Sequence, residues 1–106
     1  MTYRIRRHVD VEGDLIAIAK WIARDSRDAA VRFLSAAEDT ILSLGHLPER
    51  GSLKPWRGTR FAGVRTWAIR GFPNHLVVYR VQRKDVFVLT VVHGSRNYHR
   101  IVRGRA

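Results

Sequence analysis

The chain has 106 residues, 45% of them hydrophobic, a formal net charge of +11 and no cysteine. This size fits one domain spanning residues 1–106, able to bury roughly two-thirds of the surface its unfolded chain exposes, and the hydrophobic fraction excludes a disordered polyelectrolyte. Without cysteine there are no disulfides, thiolate metal sites or cysteine nucleophiles, and with no apolar leader in Met1 to His8 the expected location is the cytoplasm.

The elements follow in chain order. Tyr3 to His8 alternates Tyr3, Ile5 and Arg7 with Arg4, Arg6 and His8, a short strand. Asp10 is the expected cap of a helix from Val11 to about Arg24, in which Leu15, Ile18, Ala19 and Ile22 share a face widened by Trp21. Asp25 or Ser26 opens a second helix whose apolar stripe is Ala30, Phe33, Ala37, Ile41 and Leu44; Gly45 and Pro48 end it. The short junction predicts an antiparallel helical hairpin.

From His46 to Gly63 three glycines and two prolines mark a basic loop carrying Arg50, Lys54, Arg57 and Arg60. Three strands are expected next, Val64 to Ile69, Leu76 to Val81 and Val86 to His93, with a break at Arg70 to Asn74 and a turn at Arg83 to Asp85. Gly94 to Ala106 is expected to be a polar tail, with Arg103 and Arg105 solvated. The order β-α-α-β-β-β predicts an α+β domain, a two-helix hairpin packed on a small antiparallel sheet. In the last strand Val86, Val88 and Val92 should face one side, and Phe87, Leu89 and Val91 the other. With one helical layer, the second sheet face needs a cover: a partner, or the tail and the Trp56 loop folded over it.

The charge is segregated. Residues 1–46 hold seven Lys/Arg against seven Asp/Glu, whereas residues 47–106 hold 13 against only Glu49 and Asp85. Such a surface suits an acidic partner. The one polar constellation with chemical potential is Arg65, Arg80, His93, Arg96 and Tyr98: RNA cleavage by 2′-OH attack needs a base, an acid and cations for the developing phosphorane charge. Phosphate-loop, zinc-protease and serine-hydrolase motifs are absent, and the spacing of the five histidines supports no metal site; no cofactor is expected.

The segments Leu47-Pro48-Glu49-Arg50-Gly51, Val64-Arg65-Thr66-Trp67, Gly71-Phe72-Pro73-Asn74-His75-Leu76-Val77-Val78-Tyr79-Arg80-Val81 and Val92-His93-Gly94-Ser95-Arg96-Asn97 together resemble the RelE/ParE toxin superfamily, and its ParE branch most. The helical segment with Asp14-Leu15, Ile18, Trp21-Ile22, Ala29-Ala30 and Phe33 agrees in order. The resemblance implies the toxin of a type II toxin–antitoxin module, assembled into a hetero-oligomer with a ParD-like antitoxin and directed at DNA gyrase. It implies no membrane partner and places protein recognition ahead of direct nucleic-acid binding.

The alternatives are a RelE-like ribosome-dependent mRNA endoribonuclease and a non-toxic basic RNA-binding module. RelE-like ribonucleases carry an arginine where this chain has Leu76 and a later tyrosine where it has Val102, so the resemblance leans away from an enzyme. Target contacts are expected at Arg65, Trp67, His93, Arg96 and Tyr98. Antitoxin contacts are expected at Leu15, Ile18, Trp21, Phe33, Arg57, Arg60, Arg80 and Val88.

Overall fold

A computed structural model describes residues 2–106. Strand β1 (Arg4–Arg7) is followed by helices α1 (Val11–Ala23) and α2 (Arg27–Ser43), a two-residue strand β2 (Ser52–Leu53), a 3₁₀ turn at Thr59–Phe61, strands β3 (Val64–Ile69), β4 (Phe72–Gln82) and β5 (Asp85–His93), and helix α3 (His99–Arg105). The sheet order is β1-β5-β4-β3-β2. All neighbours are antiparallel except β1, which joins the edge of β5 in parallel through Arg4↔Asp85 to Arg7↔Val88.

The helices start differently. Ser26 caps α2 by accepting the Ala29 N–H at 3.1 Å. Asp10, expected to cap α1, makes no such bond with its side chain; its own N–H donates to His8 Nδ1 at 3.1 Å. The hairpin lays Val11, Leu15, Phe33, Ala37, Ile41 and Leu44 on Ile69, Val77, Tyr79, Val86, Val88 and Val91, the main core. Trp21 stays outside it, 66% exposed, with the Arg24 guanidinium 4.7 Å above its ring.

Three expectations about the second half change. The predicted break narrows to Arg70-Gly71, where Gly71 takes φ +83°, and β4 starts at once with Phe72 because Phe33 receives that ring edge-on at 5.3 Å. Between Val78↔Thr90 and Tyr79↔Val88 the register slips, leaving Leu89 unopposed. The bulge resets the alternation: Val91 joins the hairpin core and Val92 the opposite face, the reverse of the expected assignment.

The polar tail is the third correction. Its residues 99–105 form α3, whose Val102 is fully buried, and Tyr98, Val102 and Ile101 pack with Trp56 and Phe61 over Val64, Val78, Leu89 and Val92. The second sheet face is thus covered from within the chain. Past His8 the chain leaves the edge of β5, and Arg105 takes its place: Nη1 donates to the Leu89 carbonyl at 2.9 Å and to Asp14 Oδ2, and Nη2 donates to Asp14 Oδ1 at 3.1 Å. Thr90 Oγ1 donates to the same carboxylate at 2.7 Å. Arg105 is a cross-brace, not a solvated charge.

Candidate functional site

A cleft of about 720 Å³ opens where the hairpin junction meets the end of the sheet. Helix α1 supplies Ile18, Trp21 and Ile22, the junction Asp25 and Ser26, β4 His75, β5 Val91 to His93, and the following turn Ser95 and Arg96. The register that sets His75 opposite His93 brings their rings to 5.2 Å, edge to face.

Backbone geometry fixes how His93 presents itself. The Ser95 N–H donates to His93 Nδ1 at 3.1 Å, and Ser95 Oγ lies 2.7 Å from the same nitrogen. A nitrogen that accepts a backbone amide is unprotonated in the neutral ring, so the proton sits on Nε2. His75, packed edge-on against Phe33 at 5.2 Å, is pushed below its ordinary pKa by burial first and by His93 second. The cleft therefore holds one neutral imidazole, one oriented imidazole and the exposed Arg96 guanidinium, beside an exposed indole.

Of the five residues expected to form a phosphoryl-transfer site, only His93 and Arg96 share this cleft. Arg65 lies on the hairpin side of β3 and donates to the carbonyls of Glu49 at 3.1 Å and Gly51 at 2.8 Å, holding the loop before β2. Arg80 projects from the other sheet face and donates to the Arg60 carbonyl at 2.6 Å, bracing the 3₁₀ turn. Tyr98 is 9% exposed in the second core. Trp67 sits on β3 beside Arg65, its ring 5.3 Å below the Arg50 guanidinium.

The residues expected to contact an antitoxin divide in the same way. Leu15, Phe33 and Val88 are core residues with 3% exposure or less, so their side chains offer no surface. Ile18 lines the cleft with Trp21. Arg57 and Arg60 are exposed near α3, on the far side of the sheet from the hairpin. A separate shallow groove of about 370 Å³ runs along the outer face of the hairpin, lined by Ile16, Ala19, Ala30, Val31 and Leu34 and flanked by Lys20 and Arg27.

Ser95 and Asp14 join the cleft with no expectation from the sequence, whereas His75 enters it as the neighbour of Leu76, able in principle to compensate for the arginine absent there. His75 stands four residues before Tyr79, so with strand β4 recognised the hairpin pairing carries it to His93; the signal was there in the strand register. Asp14 had no such signal, because its partner is 91 residues away. Among the described residues no cluster of three or more His, Asp or Glu is placed to hold a metal ion.

A helical hairpin on one face of a five-stranded, mostly antiparallel sheet, with a cleft at the hairpin junction, defines a small α+β domain of the RelE/ParE type. The family model described as the ParE toxin of the type II toxin–antitoxin system parDE matches residues 5–98. The chain belongs to this ParE toxin family. Among solved structures, one from the chromosomal ParDE toxin–antitoxin system of P. aeruginosa superposes with a TM-score of 0.68 at 17% identity, covering 87% of this chain and 96% of that one. No curated protein sequence matches the chain. No helix among the described residues is long and apolar enough to cross a membrane.

Proposed function

We propose that this ParE-family toxin acts by binding, that its target is DNA gyrase, and that a ParD-like antitoxin holds it inactive. One observation carries the reading: the cations that a ribonuclease would converge on a single phosphate are committed elsewhere. Arg65 and Arg80 hold backbone carbonyls on opposite faces of the sheet, and Tyr98 is packed in a core. A guanidinium that braces a loop is not free to follow charge developing on a scissile phosphate. What remains accessible is a recognition surface: Trp21, His93 and Arg96 around the cleft, with Trp67 further along the sheet.

The antitoxin seat fits the outer face of the hairpin. Its groove is apolar and flanked by cations, which suits an amphipathic segment with an acidic margin. Expression of the toxin alone should cause growth arrest with filamentation and DNA-damage signalling while messenger RNA stays intact, and the purified toxin should inhibit gyrase supercoiling. Codon-linked messenger cleavage with unaffected gyrase would overturn the reading.

One observation favours a second reading, RNA cleavage. His75 and His93, 5.2 Å apart with Arg96 on the same rim, offer two groups for proton transfer and a cation without the missing arginine at Leu76. The same expression experiment separates the two, because only this reading produces cut messenger RNA that disappears in His75→Asn.

A further inference from the structure

The fold separates the two kinds of surface that a binding protein can offer. Exposed large apolar residues are Val9, Ile16, Trp21, Val31, Leu34, Leu42, Leu47, Leu53 and Trp67, all on the hairpin, its flanking loops or the β2–β3 edge. None falls in residues 54–66 or 86–106, the segments that build the opposite side. There the aromatic rings turn inward: His99 packs 4.6 Å from Trp56 and 4.5 Å from Phe61, and Tyr98 lies 5.7 Å from Trp56. What turns outward is charge.

Packing α3 on the 3₁₀ turn gathers these charges. Arg60 Nη1 donates to the Arg103 carbonyl at 3.3 Å, the exposed Arg57 is the chain neighbour of the half-buried Trp56, and Arg100 and Arg103 stand one turn apart on the exposed side of α3. Lys54 Nζ lies 5.5 Å from both the Trp56 and Tyr98 rings. Among the described residues none of these five cations makes an ion pair, and the chain has no Asp or Glu after Asp85 to supply one. Like charges held together on a rigid face without counter-charges destabilise the free protein slightly and favour a polyanion.

We infer that the face formed by Arg57, Arg60, Arg100 and Arg103 contacts the phosphate backbone of duplex DNA, which under the gyrase reading is the duplex held by the enzyme. A docked protein segment needs apolar anchors, and this face has none exposed. A phosphate backbone needs only cations at its own spacing, read without sequence preference. The cleft and hairpin are left for protein contacts, so toxin, gyrase and DNA can meet together. The inference rests on the proposed function for the identity of the nucleic acid, but not for the existence of the face.

The test is fluorescence anisotropy of the purified full-length toxin with a labelled 24-base-pair duplex and, in parallel, a single-stranded RNA of equal length, across a chloride series. Four phosphate contacts predict a log–log salt slope of about −3 to −4 on the duplex, and Arg100→Gln with Arg103→Gln should reduce its magnitude by about 2 and weaken binding about tenfold or more at low salt. Arg32→Gln with Arg83→Gln, which removes the same charge elsewhere, should leave the slope unchanged.

Equal losses in both pairs would reduce the effect to bulk charge and overturn the inference. So would RNA binding without duplex binding, or loss of antitoxin capture by the Arg100/Arg103 pair with an unchanged DNA slope, which would make the face a protein contact. Thermal melts of both pairs show whether α3 stays folded. Should the wild-type toxin fail to inhibit supercoiling while the duplex slope behaves as stated, the gyrase reading falls and the phosphate-binding face stands.

Discussion

Arg105 grips the Asp14 carboxylate with both terminal guanidinium nitrogens across 91 residues of sequence, and each side chain keeps no more than 20% of its exposure. Thr90 completes the carboxylate's bonds at 2.7 Å, and the Leu89 carbonyl, freed by the bulge, takes the remaining reach of the arginine. One ion pair therefore joins the first helix, the irregular point of the last strand and the helix that closes the second core.

Removing either half should loosen that junction. Arg105→Ala or Asp14→Asn is expected to cost roughly 1–3 kcal/mol in urea unfolding, the range for charged hydrogen bonds in a half-buried setting. The double variant should cost less than the sum of the two, since the second substitution removes a group already without its partner. Additive losses would show that the pair is not coupled.

Ending the chain at His93 should give an insoluble or self-associated product. The cut exposes Val64, Val78, Leu89 and Val92 together, all with 4% exposure or less in the intact domain. Val102→Asp should act in the same direction without shortening the chain, by placing a charge in that core. A monomeric truncated domain with an unchanged melting temperature would show that α3 contributes nothing to stability.

Gly51 and Tyr79 form a lock beneath Arg65. The Gly51 N–H donates to the buried Tyr79 hydroxyl at 2.9 Å, and a Cβ at position 51 would lie 2.5 Å from that oxygen and 2.8 Å from the Thr66 carbonyl. Tyr79→Phe strands the amide and should cost about 1–3 kcal/mol. Gly51→Ala should be worse, because the backbone oxygen cannot move aside. Equal melting temperatures for wild type and Gly51→Ala would show that this loop does not need the close approach.

The lowered pKa of His75 has a defined pH signature. Its folded-state value lies below the 6.5 of the unfolded chain, so the unfolded state binds the proton first as pH falls. Stability from the neutral ring is complete above 6.5 and declines from there downward through the folded value. His75→Asn should flatten the stability profile between pH 7 and 5; an unchanged profile would place the pH dependence in another group.

At the cleft, Arg96→Ala should raise the toxin concentration needed to inhibit supercoiling about tenfold, about 1.4 kcal/mol, whereas Arg32→Ala should not. Similar losses from both would mean that net charge, and not this rim, carries target recognition. Trp21→Ala should weaken inhibition comparably with little effect on folding, because the ring is mostly outside the core.

The helices and strands were legible because each has one apolar side: the stripe from Ala30 to Leu44 and the alternation of Val77, Tyr79 and Val81 leave one reading each. The run from Val86 to Val92 did not, since both sheet faces are covered and nearly every position is apolar, so no pattern marks where Leu89 slips out of register. The segment after Gly94 reads as tail because only Tyr98, Ile101, Val102 and the last residue, Ala106, interrupt its polar and glycine residues. Its helix is held by contacts with Asp14, Trp56 and Phe61 that local sequence does not encode. In the site, His93 and Arg96 were legible as strand-end residues with free chemistry, whereas Arg65, Arg80 and Tyr98 carried the right chemistry but were spent on the scaffold.

The parallel seat of β1 on β5 gives the toxin a timetable. Arg4 pairs with Asp85 and Asp14 with Arg105, so β1 and α1 find their partners only when the segments that carry β5 and α3 have been synthesised. Until then the hairpin's apolar face has no sheet beneath it, and long-range pairing of this kind is slow even in the finished chain. Until both have emerged, the chain has neither an assembled cleft nor a covered face on its hairpin.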